Sequence, residues 1–174
     1  MNIVIMGPQG SGKSTQAELL AKKLNTVHIS TGDIYRSIAN QNSDLGRKIK
    51  EYIEKGELID DETTFTVVDK HLAEIKSGFV VEGFPRTIGQ AEREIVPVDK
   101  VIYLRLDDNE ATKRLLSRGR TDDTPELIAQ RLKLYYLDTV PVLNYYRQQG
   151  KLLEIDGSKT IPEVHNLILQ SLGI

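Results

Sequence analysis

The chain has 174 residues, 39% of them hydrophobic, which suits one compact domain able to bury a real core. Its net charge of −2 gives no sign of a nucleic-acid surface, and the absence of cysteine excludes disulfides and any thiolate zinc site. No stretch approaches the ~20 apolar residues of a membrane span and no signal-like segment precedes the first apolar run, so a soluble cytoplasmic protein is the expectation, with neither membrane nor nucleic acid as partner.

In chain order, Ile3 to Met6 predicts a first strand, and Gly7-Pro8-Gln9-Gly10-Ser11-Gly12-Lys13-Ser14 follows it directly. That is the G-x-x-x-x-G-K-[ST] pattern, and Ala17, Leu20, Ala21 and Leu24 continue it at helical spacing. A strand feeding a glycine-rich turn and a helix N-terminus offers backbone N–H groups to phosphate. Gly10, Ser11 and Gly12 form the cradle of an ATP site, Lys13 reaches the β- and γ-phosphates, Ser14 contacts Mg²⁺, and Thr15 assists.

Val27 to Ile29 predicts the second strand, and the third waits until Phe79 to Val81. Between them, from Thr31 to about Ile75, only helices are expected, three or four of them, punctuated by Gly32, Gly46 and Gly56. Such an insertion is either a substrate flap or extra helices packed on one face. Glu82 closes the third strand at the end where open α/β sheets bind ligands, which makes it a candidate to hold the metal through water. Val101 to Leu106 predicts a fourth strand. Pro125 to Gln149 predicts a long helix with Leu127, Arg131, Leu134 and Leu137 on one face, and Leu152 to Ile155 a fifth strand. Continuous apolar strands alternating with helices indicate an α/β fold of three layers around a parallel sheet of about five strands, a P-loop fold.

Several segments together resemble the nucleoside monophosphate kinases, and adenylate kinase most closely. They are Gly7 to Gln16, His28-Ile29-Ser30-Thr31-Gly32-Asp33 with Arg36, Lys55 to Ile59, Glu82-Gly83-Phe84-Pro85-Arg86 with Gln90, Arg118 to Asp123 with Arg131, and Leu153 to Lys159. The resemblance spans essentially residues 1–174 as one P-loop kinase domain, with a helical monophosphate-binding flap over 30–59 and a very short lid over 118–124. It implies Mg²⁺-dependent transfer from ATP to AMP giving two ADP, in adenine nucleotide homeostasis, by a monomer without zinc. On this reading Thr31 and Gln90 face the AMP adenine with the backbone of Glu57, Leu58 and Ile59. Arg36 and Arg86 hold the AMP phosphate beside Gly83, Phe84 and Pro85. Arg118, Arg120 and Arg131 clamp phosphates from the lid side, and Gly157 or Lys159 meets the ATP adenine. Lys13, Arg86, Arg118, Arg120 and Arg131 form the catalytic set.

The family commonly has glycine at the position of Ser14 and aspartate at that of Glu82, and only Gly119 separates Arg118 from Arg120 in the lid. Thr31 resembles the AMP-selective form, against a kinase for UMP or CMP. A nucleotide-binding switch that transfers nothing is the other alternative. The residues favour a phosphate acceptor: no base stands beside the acceptor signature, and arginine forks offset the repulsion between two polyphosphates. Asp122 and Asp123 are expected either to orient the arginines or to cap the helix that starts at Pro125, and for Asp123 the cap is favoured with both roles open. Tyr135, Tyr136, Tyr145 and Tyr146 are expected to pack.

Overall fold

In the computed structural model, which describes residues 1–73, 75, 77–93 and 97–174, β1 (Asn2–Met6) takes the centre of the sheet because both its faces are apolar. The sheet runs β2 (Val27–Ser30), β3 (Phe79–Glu82), β1, β4 (Lys100–Arg105), β5 (Leu152–Asp156), and every pairing is parallel. Ile3 and Ile5, both 0% exposed, face α1 (Lys13–Leu24) and α9 (Ile161–Leu172) through Ala17, Leu20, Val164 and Ile168. Val4 and Met6 face the opposite layer, built by α4 (Asp61–Ala73) and α8 (Val140–Gln148) with Val68, Leu72, Val142, Leu143 and Tyr146. Side chains alternate across a strand, so two apolar faces need two covering layers. Each such aliphatic contributes about 1.5–3 kcal/mol by leaving water.

The five expected strands all form. The strand-free insertion holds three helices: α2 (Thr31–Ala39), α3 (Asp44–Lys55) and α4. Ser30 and Ser43 cap the first two, accepting the Asp33 and Gly46 N–H groups at 3.3 and 3.0 Å. Gly56 ends α3 in the left-handed region, as expected of a helix stop. Gly32 and Gly46 instead sit inside first turns. At Gly46 a Cβ would lie 2.4 Å from the Gln41 carbonyl oxygen, so glycine here serves a close approach between α2 and α3.

The long helix forms as α7 (Pro125–Leu134), a π turn (Tyr135–Thr139) and α8. The π turn inserts one extra residue and accommodates Pro141, which has no N–H to give. Ile128, Leu132 and Tyr135, at ordinary helical spacing, are the buried positions, while Arg131 and Leu134 line the cleft described below and Leu137, inside the π turn, is 61% exposed. The expected face through Leu127, Arg131, Leu134 and Leu137 is therefore not the one that meets the core. Tyr135 and Tyr146 pack as expected, whereas Tyr136 is half-exposed and donates its hydroxyl to Asp108 at 2.6 Å. The short helix α5 (Ile88–Glu92) follows β3, and α6 (Asp108–Arg118) stops at Gly119. Among the described residues no helix is long and apolar enough to cross a membrane.

Candidate active site

The carboxyl ends of β1, β2 and β3 open into a cleft of about 430 Å³, roofed by α2, α3 and the segment after α6. On its donor side the loop after β1 turns through Gly10 and Gly12, with φ of 84° and 87°, and delivers the α1 N-terminus to the cleft. Lys13 donates to the Pro8 carbonyl at 2.7 Å. Its stem is partly exposed but its ammonium lies deep, and burial brings its pKa down to about 7. Arg86 and Arg118 push the same way, and Glu82 opposes them. Ser14 and Thr15 line the cleft beside it, whereas Ser11 is buried under the loop.

Glu82 is 6% exposed, and two hydroxyls converge on its Oε1: Ser14 at 2.9 Å and Ser30 at 2.6 Å. Ser30 stands opposite Glu82 in the β2–β3 register and also caps α2. One short chain of hydrogen bonds therefore joins the loop helix, the strand end and the first helix of the insertion.

The opposite wall of the cleft starts at Gly83, where a Cβ would come within 2.4 Å of Thr31 Oγ1. Thr31 is 1% exposed and donates to the Glu82 carbonyl at 3.1 Å. Arg86 is fixed at three points. Its Nε donates to the Gly83 carbonyl at 2.8 Å, its backbone N–H to Gln90 Oε1 at 2.7 Å, and its carbonyl accepts from Thr139 of the π turn at 3.0 Å. Burial lowers its pKa, and the charges of Glu82 and Tyr35 raise it. Arg36 pairs with Asp33 at 2.6 Å, and Glu57, Leu58 and Ile59 form the far wall. Phe84 and Pro85, joined by a cis peptide, line a small cavity behind Lys13 with Tyr135 and Thr139 and not the cleft itself.

The insertion is anchored at Asp60. This carboxylate takes Lys48 Nζ at 2.9 Å, the Tyr52 hydroxyl at 3.1 Å, and the Thr63 hydroxyl and N–H at 2.8 and 2.9 Å. Burial alone would raise its pKa. The bonds from Thr63, Lys48 and Tyr52 outweigh that and hold it well below the usual carboxylate range.

Beyond α6, Arg118 grips Asp123 with two bonds of 2.8 Å, and Arg131 pairs with Asp122 at 2.6 Å and Asp123 at 3.5 Å. Asp123 has a side chain with no exposure and is not the helix cap. Thr124 caps α7 instead, accepting the Leu127 N–H at 3.3 Å. Two arginines compete for Asp123, and its burial between them takes it away from the helix end. Arg120 forms no ion pair among the described residues. Burial lowers its pKa, and the nearby charges of Arg36 and Arg118 lower it further.

Seven cationic side chains line this cleft against three carboxylates, in a chain whose net charge is −2. Such crowding of like charge, with pKa values drawn down, is relieved by a polyanion. The loop, Thr31, Arg36, the 57–59 wall, Gly83, Arg86, Gln90 and the three lid-side arginines therefore meet at one place. Gly157 and Lys159 do not line it: Gly157 is buried and Lys159 is exposed. Arg114 is a lining residue that sequence reasoning missed. Its spacing four residues before Arg118 was visible but looked like a solvated helix face. Its guanidinium in fact donates to the Gly157 and Ser158 carbonyls at 3.0 and 3.2 Å, fixing the turn after β5. Tyr35 was missed as well. It lies one turn after Thr31 on the same face of α2 and bonds Thr64 at 3.2 Å.

Fold and loop define a P-loop α/β protein whose cleft gathers cationic side chains from two sides. The family model described as adenylate kinase matches residues 5–151. The adenylate kinase of Prochlorococcus marinus strain NATL2A is 40% identical over 178 aligned positions, which cover 98% of each chain. That of Dehalococcoides mccartyi strain 195 is 37% identical over 210 positions, covering 98% of this chain and 97% of the relative. Adenylate kinase 1 of Nostoc sp. strain PCC 7120 is 40% identical over 180 positions, with 98% of each chain covered. The chain belongs to the adenylate kinase family.

Proposed function

We propose that the chain catalyses reversible phosphoryl transfer from ATP to AMP, giving two ADP. The observation that carries this reading is the single cleft in which a triphosphate loop faces an independent arginine-lined wall. A phosphate acceptor is already an anion, so the task is to place two polyphosphates in line and offset their repulsion.

Lys13 and the loop N–H groups hold the donor β- and γ-phosphates, with Gly10, Ser11, Gly12 and Thr15 shaping the cradle. Arg36 and Arg86 hold the acceptor phosphate. Arg118, Arg120 and Arg131 close over the phosphoryl group, where guanidinium forks match phosphate oxygens bidentately. Asp122 and Asp123 keep two of these forks aimed before substrate arrives. Thr31, Gln90 and the 57–59 wall form the acceptor-base site. Gly157 or Lys159 meets the donor base through the backbone of the turn that Arg114 pins, at the edge of the cleft and not in its wall.

Mg²⁺ accompanies ATP on this reading. The donor set fits it: a hydroxyl and a carboxylate, all oxygen, suit a hard cation that keeps most of its waters. Ser14, and Glu82 through water, would hold it, and it would supply positive charge to offset that of the donor phosphates. Residues 30–59 act as a flap and residues 118–124 as a lid, shutting water out when both substrates are bound. The enzyme works as a monomer in the cytoplasm.

A coupled assay with ATP, Mg²⁺ and a panel of AMP, UMP, CMP or no acceptor tests the reading. AMP should give the highest kcat/KM and the no-acceptor rate should be near zero. ATP consumption indifferent to AMP, or a preference for UMP or CMP, would overturn it.

A further inference from the structure

Gln90 is 3% exposed, yet it lines the acceptor wall of the cleft, and both ends of its amide are already engaged. Its Oε1 accepts the Arg86 backbone N–H at 2.7 Å, and its Nε2 donates to Asp61 Oδ1 at 2.7 Å. An amide end is chemically ambiguous only while its partners can swap roles. Here they cannot. A backbone N–H only donates and an ionised carboxylate only accepts. A flipped amide would set oxygen against carboxylate and N–H against N–H.

Asp61 is itself held for this purpose. Thr87 caps α5 by accepting the Gln90 N–H at 3.2 Å, and its hydroxyl donates to Asp61 with both carboxylate oxygens at 3.1 Å. Asp61 forms no ion pair among the described residues, so its partners here are neutral donors. At Gly89 a Cβ would stand 2.9 Å from Asp61 Oδ2, and the missing side chain lets α5 approach the carboxylate this closely.

We propose that Asp61 is a positioning residue that sets acceptor specificity by locking the Gln90 amide in one orientation. The proposal rests on the reading of Gln90 as a contact of the acceptor base. The locked amide keeps one N–H and one oxygen lone pair for a ligand, in fixed places. A 6-amino purine offers a ring-nitrogen acceptor beside an amino donor. A 6-oxo purine offers the reverse, a ring N–H beside a carbonyl oxygen, and needs the flipped amide. The site therefore accepts AMP and turns away IMP.

Initial rates with AMP and with IMP, in wild type, Asp61→Asn, Gln90→Ala and the double variant, test this. An asparagine at 61 can present either end, so the lock on one side is lost. The AMP-to-IMP ratio of kcat/KM should fall roughly tenfold, chiefly through KM for the monophosphate, while KM for ATP moves less than about twofold. Gln90→Ala should lose the discrimination as well, and the double variant should lose no more than Gln90→Ala alone. Gly89→Ala, which crowds the carboxylate without altering its charge, should shift the ratio the same way and serves if Asp61→Asn folds poorly. An unchanged ratio in both Asp61→Asn and Gly89→Ala, with loss in Gln90→Ala, would overturn the role of Asp61 and leave that of Gln90 standing. An unchanged ratio in Gln90→Ala would overturn the reading of Gln90 itself. Additive losses in the double variant would show Asp61 acting through packing alone, and would also overturn the proposal.

Discussion

The donor and acceptor halves of the cleft are held by different physics. The phosphate loop is eight contiguous residues hung between the central strand of the sheet and a helix whose inner face, Ala17 and Leu20, has no exposure. The acceptor half is drawn from α2, the 57–59 wall, the end of β3, α5 and α7, and is pinned by polar hubs. These are Asp60 beneath the insertion, Glu82 between Ser14 and Ser30, and Asp61 behind Gln90. Apolar packing gives the donor site a rigid seat. Hydrogen-bond hubs give the proposed acceptor side a defined shape with less burial behind it, which would suit the flap motion proposed for it.

The largest expected effect separates the two halves outright. Arg86→Ala should lower AMP-dependent ADP formation by roughly 10³-fold, the low end of what a trans-acting arginine contributes. ATP binding, followed by calorimetric titration, should change less than about threefold. An equal loss of ATP affinity would show that the halves are one site.

Next is the charge state of Lys13. Its folded pKa of about 7 lies below the ordinary lysine value, so between those two values the unfolded chain carries more protons. The Lys13 contribution to stability of the ligand-free protein therefore rises with pH across that window. Phosphate pulls the pKa back up, and ATP binding near pH 8 should take up a large fraction of one proton. Titrations in buffers of different ionisation enthalpy read this directly, and Lys13→Met should abolish it.

The insertion should show the same sign in a much lower pH window. The Asp60 carboxyl is held low, so its contribution to stability is complete above about pH 4 and is lost as pH falls further. Asp60→Asn should flatten the acid limb of a melting-temperature profile and cost about 1 kcal/mol at neutral pH, allowing for solvent screening. The smallest effect expected is at the lid-side cap. Thr124→Ala should cost about 1 kcal/mol in denaturant unfolding and leave the KM for AMP near its wild-type value. A large rise in that KM would mean that capping of α7, and not Asp123, aims the arginines.

The same contrast governs what could be read before the fold was seen. The loop, the five strands and the inner face of α1 were legible because their signals are contiguous or periodic. The acceptor residues were legible only through resemblance, since nothing local tells Arg86 that Gln90 and Thr139 will hold it. That Thr124 and not Asp123 caps α7 was hidden because either residue can cap, and the choice depends on two arginines arriving from elsewhere. The inner face of the long helix was hidden because its apolar residues fall on two stripes, and only the one through Ile128, Leu132 and Tyr135 meets the core. Asp61 gave no signal at all, because a carboxylate at the start of a helix looks like an ordinary dipole partner.

Gly119 ends α6 in the left-handed region, and a Cβ there would meet nothing within 4 Å. The arginines on either side of it belong to the cleft, yet the peptide that joins them touches no core. The protein therefore carries a natural splice point between two functional residues. Lengthening a loop there from about 6 to about 40 residues costs only about 1.7 kcal/mol of closure entropy. Lineages could gain or discard a whole cover at that single bend while the two arginines stayed in place.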